Sequence, residues 1–145
     1  MTQDPSMAVR EHHKQSIPPR STLWAAAAAN DTAELTRLLD EGYPINERDH
    51  RGYSPLMLAA YAGNLAALDL LLARGADPNT SDLFGNTVLM GAAFKGYVPI
   101  VQRLLSAGAD PDTTNYGGLD ARGFALTFGR TDVFQVLEQR ARLHA

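Results

Sequence analysis

Apolar residues between Asp49 and Ser81 fall into two helical stripes separated by a glycine. Leu56, Ala59 and Ala60 recur at intervals of three and one and share one face of a short helix. Ser54 is placed to cap that helix, and Pro55 stands at its first position, where no backbone N–H is needed. Leu65, Leu68, Leu71 and Leu72 stripe a second helix. Gly63 lies between the two, where the reversal of antiparallel helices calls for left-handed backbone. Beyond the second helix, Gly75 supplies a stop and Asp77-Pro78-Asn79 begins an extended turn aimed at the following segment.

The pattern then recurs at a step of 33 residues: Asp49, Gly52, Leu56, Ala59, Ala60, Gly63, Leu71, Leu72 and Gly75 return as Asp82, Gly85, Leu89, Ala92, Ala93, Gly96, Leu104, Leu105 and Gly108. A self-similarity of about this length marks a solenoid, in which no unit buries its apolar face alone and each stacks on the next. One period upstream, residues 21–48 keep the two stripes but lack the opening hairpin, and Asn30 replaces Gly63, asparagine being the next most tolerant of left-handed geometry. One period downstream, residues 115–145 are the least faithful: Arg122 and Glu138 occupy positions held by leucine in the central units, as expected of a terminal unit with a polar outer face. In the third unit, residues 82–114, Gly91 stands where Leu58 would be and should leave a hole. Phe124 occupies the same position one unit later, and its ring is expected to enter that space.

The unit resembles the ankyrin repeat, through Ser54-Pro55-Leu56, Leu58-Ala59-Ala60, Gly63, Leu71-Leu72 and Gly75-Ala76-Asp77-Pro78-Asn79. The resemblance covers residues 21–145 and implies an all-α solenoid of about four helix-turn-helix repeats joined by projecting β-turns or hairpins. The family's histidine after proline-leucine, which helps hold the hairpin, is replaced here by Met57 and Met90, which puts that hydrogen bond in doubt and not the fold.

Composition narrows the function. The chain has 145 residues, 45% hydrophobic, with a formal charge of -3, and its two lysines and scattered arginines form no stripe for nucleic-acid phosphate. Cysteine is absent, which removes disulfides, thiolate catalysis and Zn–S sites and fits a reducing compartment. No apolar run is long enough for a membrane span, and residues 1–20 lack the apolar segment of a secretory signal, so the expected location is cytoplasmic. Those twenty residues, ending in Pro18-Pro19, read as a polar tail, whose adjacent His12 and His13 point to different helix faces and make a poor metal site. The histidines have no nucleophile and carboxylate at a supporting spacing, no strand–glycine-loop–helix segment cradles a phosphate, and the Asp-rich turns lack calcium-loop spacing. The expectation is a protein that is not an enzyme and that has no cofactor and no metal.

What remains is recognition of a partner protein, with neither nucleic acid nor membrane as partner, by a chain expected to be monomeric. The alternative within this reading is an inhibitor or immunity-type protein, or a regulatory subunit, that binds one enzyme. Positions not needed for packing are the turn tips and the outward first-helix residues: His50, Arg51, Tyr53 and Tyr61 in the second unit, Leu83, Phe84, Asn86, Phe94 and Lys95 in the third, and Tyr116 in the fourth, with Leu119, Thr127 and Phe128 nearby. The family resemblance implies that these line a concave binding surface. Aromatic side chains beside Arg51 and Lys95 suit a segment that is mildly acidic and partly apolar. Tyr61 and Phe94 share one register, which leaves open that their rings stack between units to stabilise the array.

Overall fold

The computed structural model describes residues 22–143, which form eight α-helices and, among the described residues, no sheet; one isolated bridge joins Ser81 and Thr87. The helices are α1 Leu23–Ala28, α2 Thr32–Asp40, α3 Pro55–Ala62, α4 Leu65–Ala73, α5 Val88–Lys95, α6 Val98–Ser106, α7 Ala121–Thr127 and α8 Thr131–Leu143. Each odd-numbered helix packs on the even-numbered one that follows it, odd packs on odd in the next pair, and even on even. The result is a stack of four helix pairs in two layers, the all-α solenoid that the spacing predicts. The tail expected over residues 1–20 lies outside the described residues.

Local chemistry sets the ends of the helices. The side chains of Thr22, Asp31, Ser54, Thr87 and Asp120 each accept a backbone N–H at the first turn of α1, α2, α3, α5 and α7. Gly63 ends α3 at φ 73°, and the equivalent Asn30 is the one non-glycine residue with positive φ among those described, at 57°. Asparagine keeps its place there through its side chain: Asn30 Oδ1 accepts the N–H of Ala67 at 3.0 Å. Met90 recovers a hydrogen bond in place of the family's histidine, because its Sδ accepts the N–H of Thr87 at 3.3 Å. Met57 is buried.

The core runs along the seam between layers as leucine and alanine. Leu35, Leu38, Leu56, Leu68, Leu71, Leu89 and Leu104 are fully buried, and Ala27, Ala59, Ala60, Ala92 and Ala93 let the first helices approach closely. Units are also tied by polar contacts. Asn64 Nδ2 donates to the carbonyls of Ala27 and Ala28, both at 2.9 Å, Asn46 Oδ1 and Asn79 Oδ1 receive the N–H groups of Asp77 and Asp110, and ion pairs join Asp40 to Arg74 and Asp69 to Arg103. At the C-terminal end, the two departures from leucine meet each other: Arg122 Nη1 donates to Glu138 Oε2 at 3.0 Å. The pair joins α7 to α8.

The hole at Gly91 is not filled by Phe124, contrary to the expectation from register. A Cβ on Gly91 would lie 1.7 Å from Cε1 of Tyr61, so it is the ring of the preceding unit that lies over the glycine. Phe124 stacks instead with Phe128, at 6.1 Å between centroids and 17° between planes. Register arithmetic puts Phe124 in the same row as Gly91, but the space was taken from the other side.

Candidate functional site

The odd-numbered helices and the turns before them form one face, and its central feature is a cleft of about 280 Å³ between the second, third and fourth units. Tyr53 and Tyr61 make one wall, Phe94, Phe124 and Phe128 the other, and Met90 and Gly91 of α5 lie between them. The wall rings brace one another. Tyr53 and Tyr61 meet edge to face at 5.7 Å and 88°, and Phe94 meets Phe128 the same way at 4.7 Å and 89°. Such pairs add about 0.5–1.5 kcal/mol beyond the area they bury and fix the rings in place. Tyr61 and Phe94, which share one register, do not pair with each other; the cleft separates them.

Glycine at position 91 is what makes the first wall possible. With no side chain on that turn of α5, Tyr61 leans across the unit boundary, and any larger residue would push it out. Tyr53 is anchored independently: it packs against the core, and its carbonyl accepts Trp24 Nε1–H at 2.7 Å.

Polar groups in the cleft are few. Asp82 is 6% exposed, yet lines the cleft, and its Oδ1 accepts the N–H groups of Phe84 and Asn86, both at 2.9 Å. Asn86 Nδ2 donates to Asp82 Oδ2 at 3.2 Å, while Asn86 Oδ1 receives Asn115 Nδ2 at 2.8 Å, which fixes the amide orientation. Burial pushes the Tyr61 hydroxyl well above the usual tyrosine range, and the Asp82 carboxylate adds to that shift. Lys95, the last residue of α5, is exposed on the rim and makes no ion pair among the described residues.

Five of the ten residues expected from the sequence therefore converge: Tyr53, Tyr61, Asn86, Phe94 and Lys95 line the cleft. The other five sit at the turn tips. Leu83, Phe84 and Tyr116 project into solvent at 60%, 71% and 82% exposure, forming an apolar ridge that is held by the Tyr116 N–H donating to the Phe84 carbonyl at 3.1 Å. His50 and Arg51 are exposed at the tip of the second unit. Arg51 is not a free charge: it pairs with Asp49 at 2.8 Å, and its Cζ lies 4.4 Å from the centroid of the Tyr53 ring. Burial works against ionisation of Asp49, but the Arg51 side chain and the N–H groups of Tyr53 and Arg51 hold its carboxyl below the usual range.

Sequence reasoning missed Asp82, Met90, Gly91 and Phe124 as parts of the site. The signal for Gly91 and Phe124 was the row Leu58, Gly91, Phe124, in which one member is abruptly small. Asp82 was read as turn chemistry, which it performs, and nothing in its spacing shows that it also faces the cleft.

A family model described as ankyrin repeats, three copies, matches residues 22–115. No curated protein matches the chain. The fourth helix pair lies beyond the family match and packs on the third as the third packs on the second.

Proposed function

The chain belongs to the ankyrin repeat family, and from that premise we propose that it binds a partner protein on the face of turns and odd-numbered helices, with the aromatic cleft as the anchor point. Ankyrin repeats are generally protein–protein interaction modules and typically non-catalytic. The observation that carries the proposal is the cleft: braced rings line a concavity of about 280 Å³ whose floor is a glycine. That volume lies near the lower end of ligand sites, about 300–1,000 Å³, and suits one or two protruding side chains. Rigid aromatic walls are what interface hot spots use, because they offer large area at little entropic cost. The ridge of Leu83, Phe84 and Tyr116 extends the same surface at the turn tips.

Among the described residues no helix is long and apolar enough to cross a membrane. A cysteine-free chain suits a reducing compartment such as the cytoplasm, and the Arg122–Glu138 pair on the terminal helices suits a monomer.

Site-specific photocrosslinking tests the assignment. Benzophenone side chains placed at Phe94 or Phe128 are expected to capture one common protein, while the same group at Gln102, exposed on the opposite layer, captures none. Capture from Gln102 alone would move the binding site to the other face.

A further inference from the structure

Three turn positions one period apart, Asp49, Asp82 and Asn115, do the same structural work. Each accepts two backbone N–H groups of its own turn: Asp49 those of Arg51 and Tyr53, Asp82 those of Phe84 and Asn86, Asn115 those of Gly117 and Leu119, all between 2.8 and 3.0 Å. Their charge balance differs. Asp49 is neutralised by Arg51 of its own turn, and Asn115 carries no charge. Asp82 is a buried carboxylate with no cationic partner among the described residues, although neutral Asn115 shows that the turn forms without a charge. The N–H groups of Phe84 and Asn86 and the Asn86 side-chain amide hold the Asp82 oxygens, and its negative charge on the cleft lining is left without a counter-charge among the described residues.

We propose that the cleft receives an arginine side chain of the partner protein, its guanidinium stacked against the aromatic walls and directed at the Asp82 carboxylate. The proposal rests on the reading of this face as the partner site and names the chemistry of the anchor. Aromatic faces attract cations, arginine most often, and a planar guanidinium both stacks on a ring and bridges to a carboxylate. The molecule already builds a version of this arrangement at the neighbouring turn, where Arg51 lies over Tyr53 and pairs with Asp49. In the third unit the positions equivalent to Arg51 and Tyr53 are Phe84, which points into solvent, and Asn86, so the cation is missing beside Asp82 and the rings that share the cleft with its carboxylate are Tyr53 and Tyr61 of the preceding unit. The field of Asp82 reaches into the cleft, since it helps to raise the Tyr61 hydroxyl after burial itself. Lys95 on the rim opposes a cation and therefore limits affinity without blocking entry, its side chain being exposed. The electrostatic demand of the cleft is thus the reverse of the mildly acidic segment that the sequence suggested, because Arg51 is spent within its own turn and a carboxylate lies within.

The test is a set of capped pentapeptides, Gly-Ala-Xaa-Ala-Gly with arginine, norleucine or glutamate at the centre, titrated into the ¹⁵N-labelled chain. The arginine peptide is expected to shift the Gly91 N–H and the Asn86 side-chain amide saturably, roughly tenfold more tightly than the norleucine peptide. Asp82→Asn should bring arginine down to the norleucine level with the spectrum still dispersed, since Asn115 supports the same turn with an amide. Lys95→Ala should tighten the arginine peptide. Norleucine or glutamate binding the cleft as well as arginine does, or arginine binding unchanged by Asp82→Asn, overturns the cation and leaves the face as the binding site. If no peptide shifts any cleft resonance, both readings fall.

Discussion

Replacing Gly91 by alanine perturbs the site at its floor, and the sign of the effect depends on Tyr61. In isolation the change should help, because alanine in a helix interior is favoured over glycine by about 1 kcal/mol. The added Cβ, however, would lie 1.7 Å from Tyr61 Cε1, with Cδ1 and Cζ at 2.6 and 2.7 Å. Restoring ordinary contact near 3.5–4.0 Å requires the ring to move by about 2 Å. That movement breaks the edge-to-face contact with Tyr53, about 0.5–1.5 kcal/mol, and exposes a half-buried ring at a further cost of about 1–1.5 kcal/mol. The balance is a net loss of about 0.5–2 kcal/mol, or roughly 2–8 °C in the thermal midpoint of a domain of this size. In a Tyr61→Ala background the obstacle is gone, and Gly91→Ala should instead stabilise by about 1 kcal/mol. Thermal unfolding of the four proteins of this cycle, followed by circular dichroism, measures both signs. Equal destabilisation by Gly91→Ala with and without the tyrosine ring would refute the reasoning.

Asn64→Ala removes two hydrogen bonds to the carbonyls of Ala27 and Ala28 and should cost about 1–2 kcal/mol in urea unfolding, loosening the first unit in particular. Replacing both Arg122 and Glu138 by leucine restores the pattern of the inner units at the C-terminal end; the double variant should self-associate in sedimentation velocity as concentration rises, while the parent stays monomeric. The raised Tyr61 hydroxyl stays protonated in the fold at pH values where the unfolded chain has begun to ionise, so stability should fall as pH rises above the ordinary tyrosine value of about 10. That decline should be shallower in Tyr61→Phe, read as chemical denaturation midpoints at pH 9, 10 and 11.

Much of the array was legible because its units are bound by local rules that repeat. The cap residue Ser54, the left-handed Asn30 and the two leucine stripes each follow from near neighbours in the chain, and the 33-residue step repeats the pattern. The cleft depends on the lean of a few rings across unit boundaries, which the row of positions does not encode. Gly91 announced a hole, but Tyr61 and Phe124 were both within a unit of it, and only the geometry shows that Tyr61 takes the space while Phe124 turns to Phe128. The placement of charge was hidden for a related reason. Arg51 reads as free in a sequence, yet folds back onto Asp49 and Tyr53, whereas Asp82 reads as one more turn aspartate and ends beside the rings. The Arg122–Glu138 pair could have been found in advance, since opposite charges replace two leucines of the inner units.

Titration calorimetry of the captured partner against the parent chain and Phe94→Ala tests the central claim most directly. Phe94 lines the cleft, is 39% exposed and lies outside the buried core, so truncation should leave helical content unchanged. It should weaken the partner by about 2 kcal/mol or more, close to thirtyfold. A partner that binds Phe94→Ala as tightly as the parent, while losing affinity when Arg103 on the opposite layer is changed to alanine, would contradict the account.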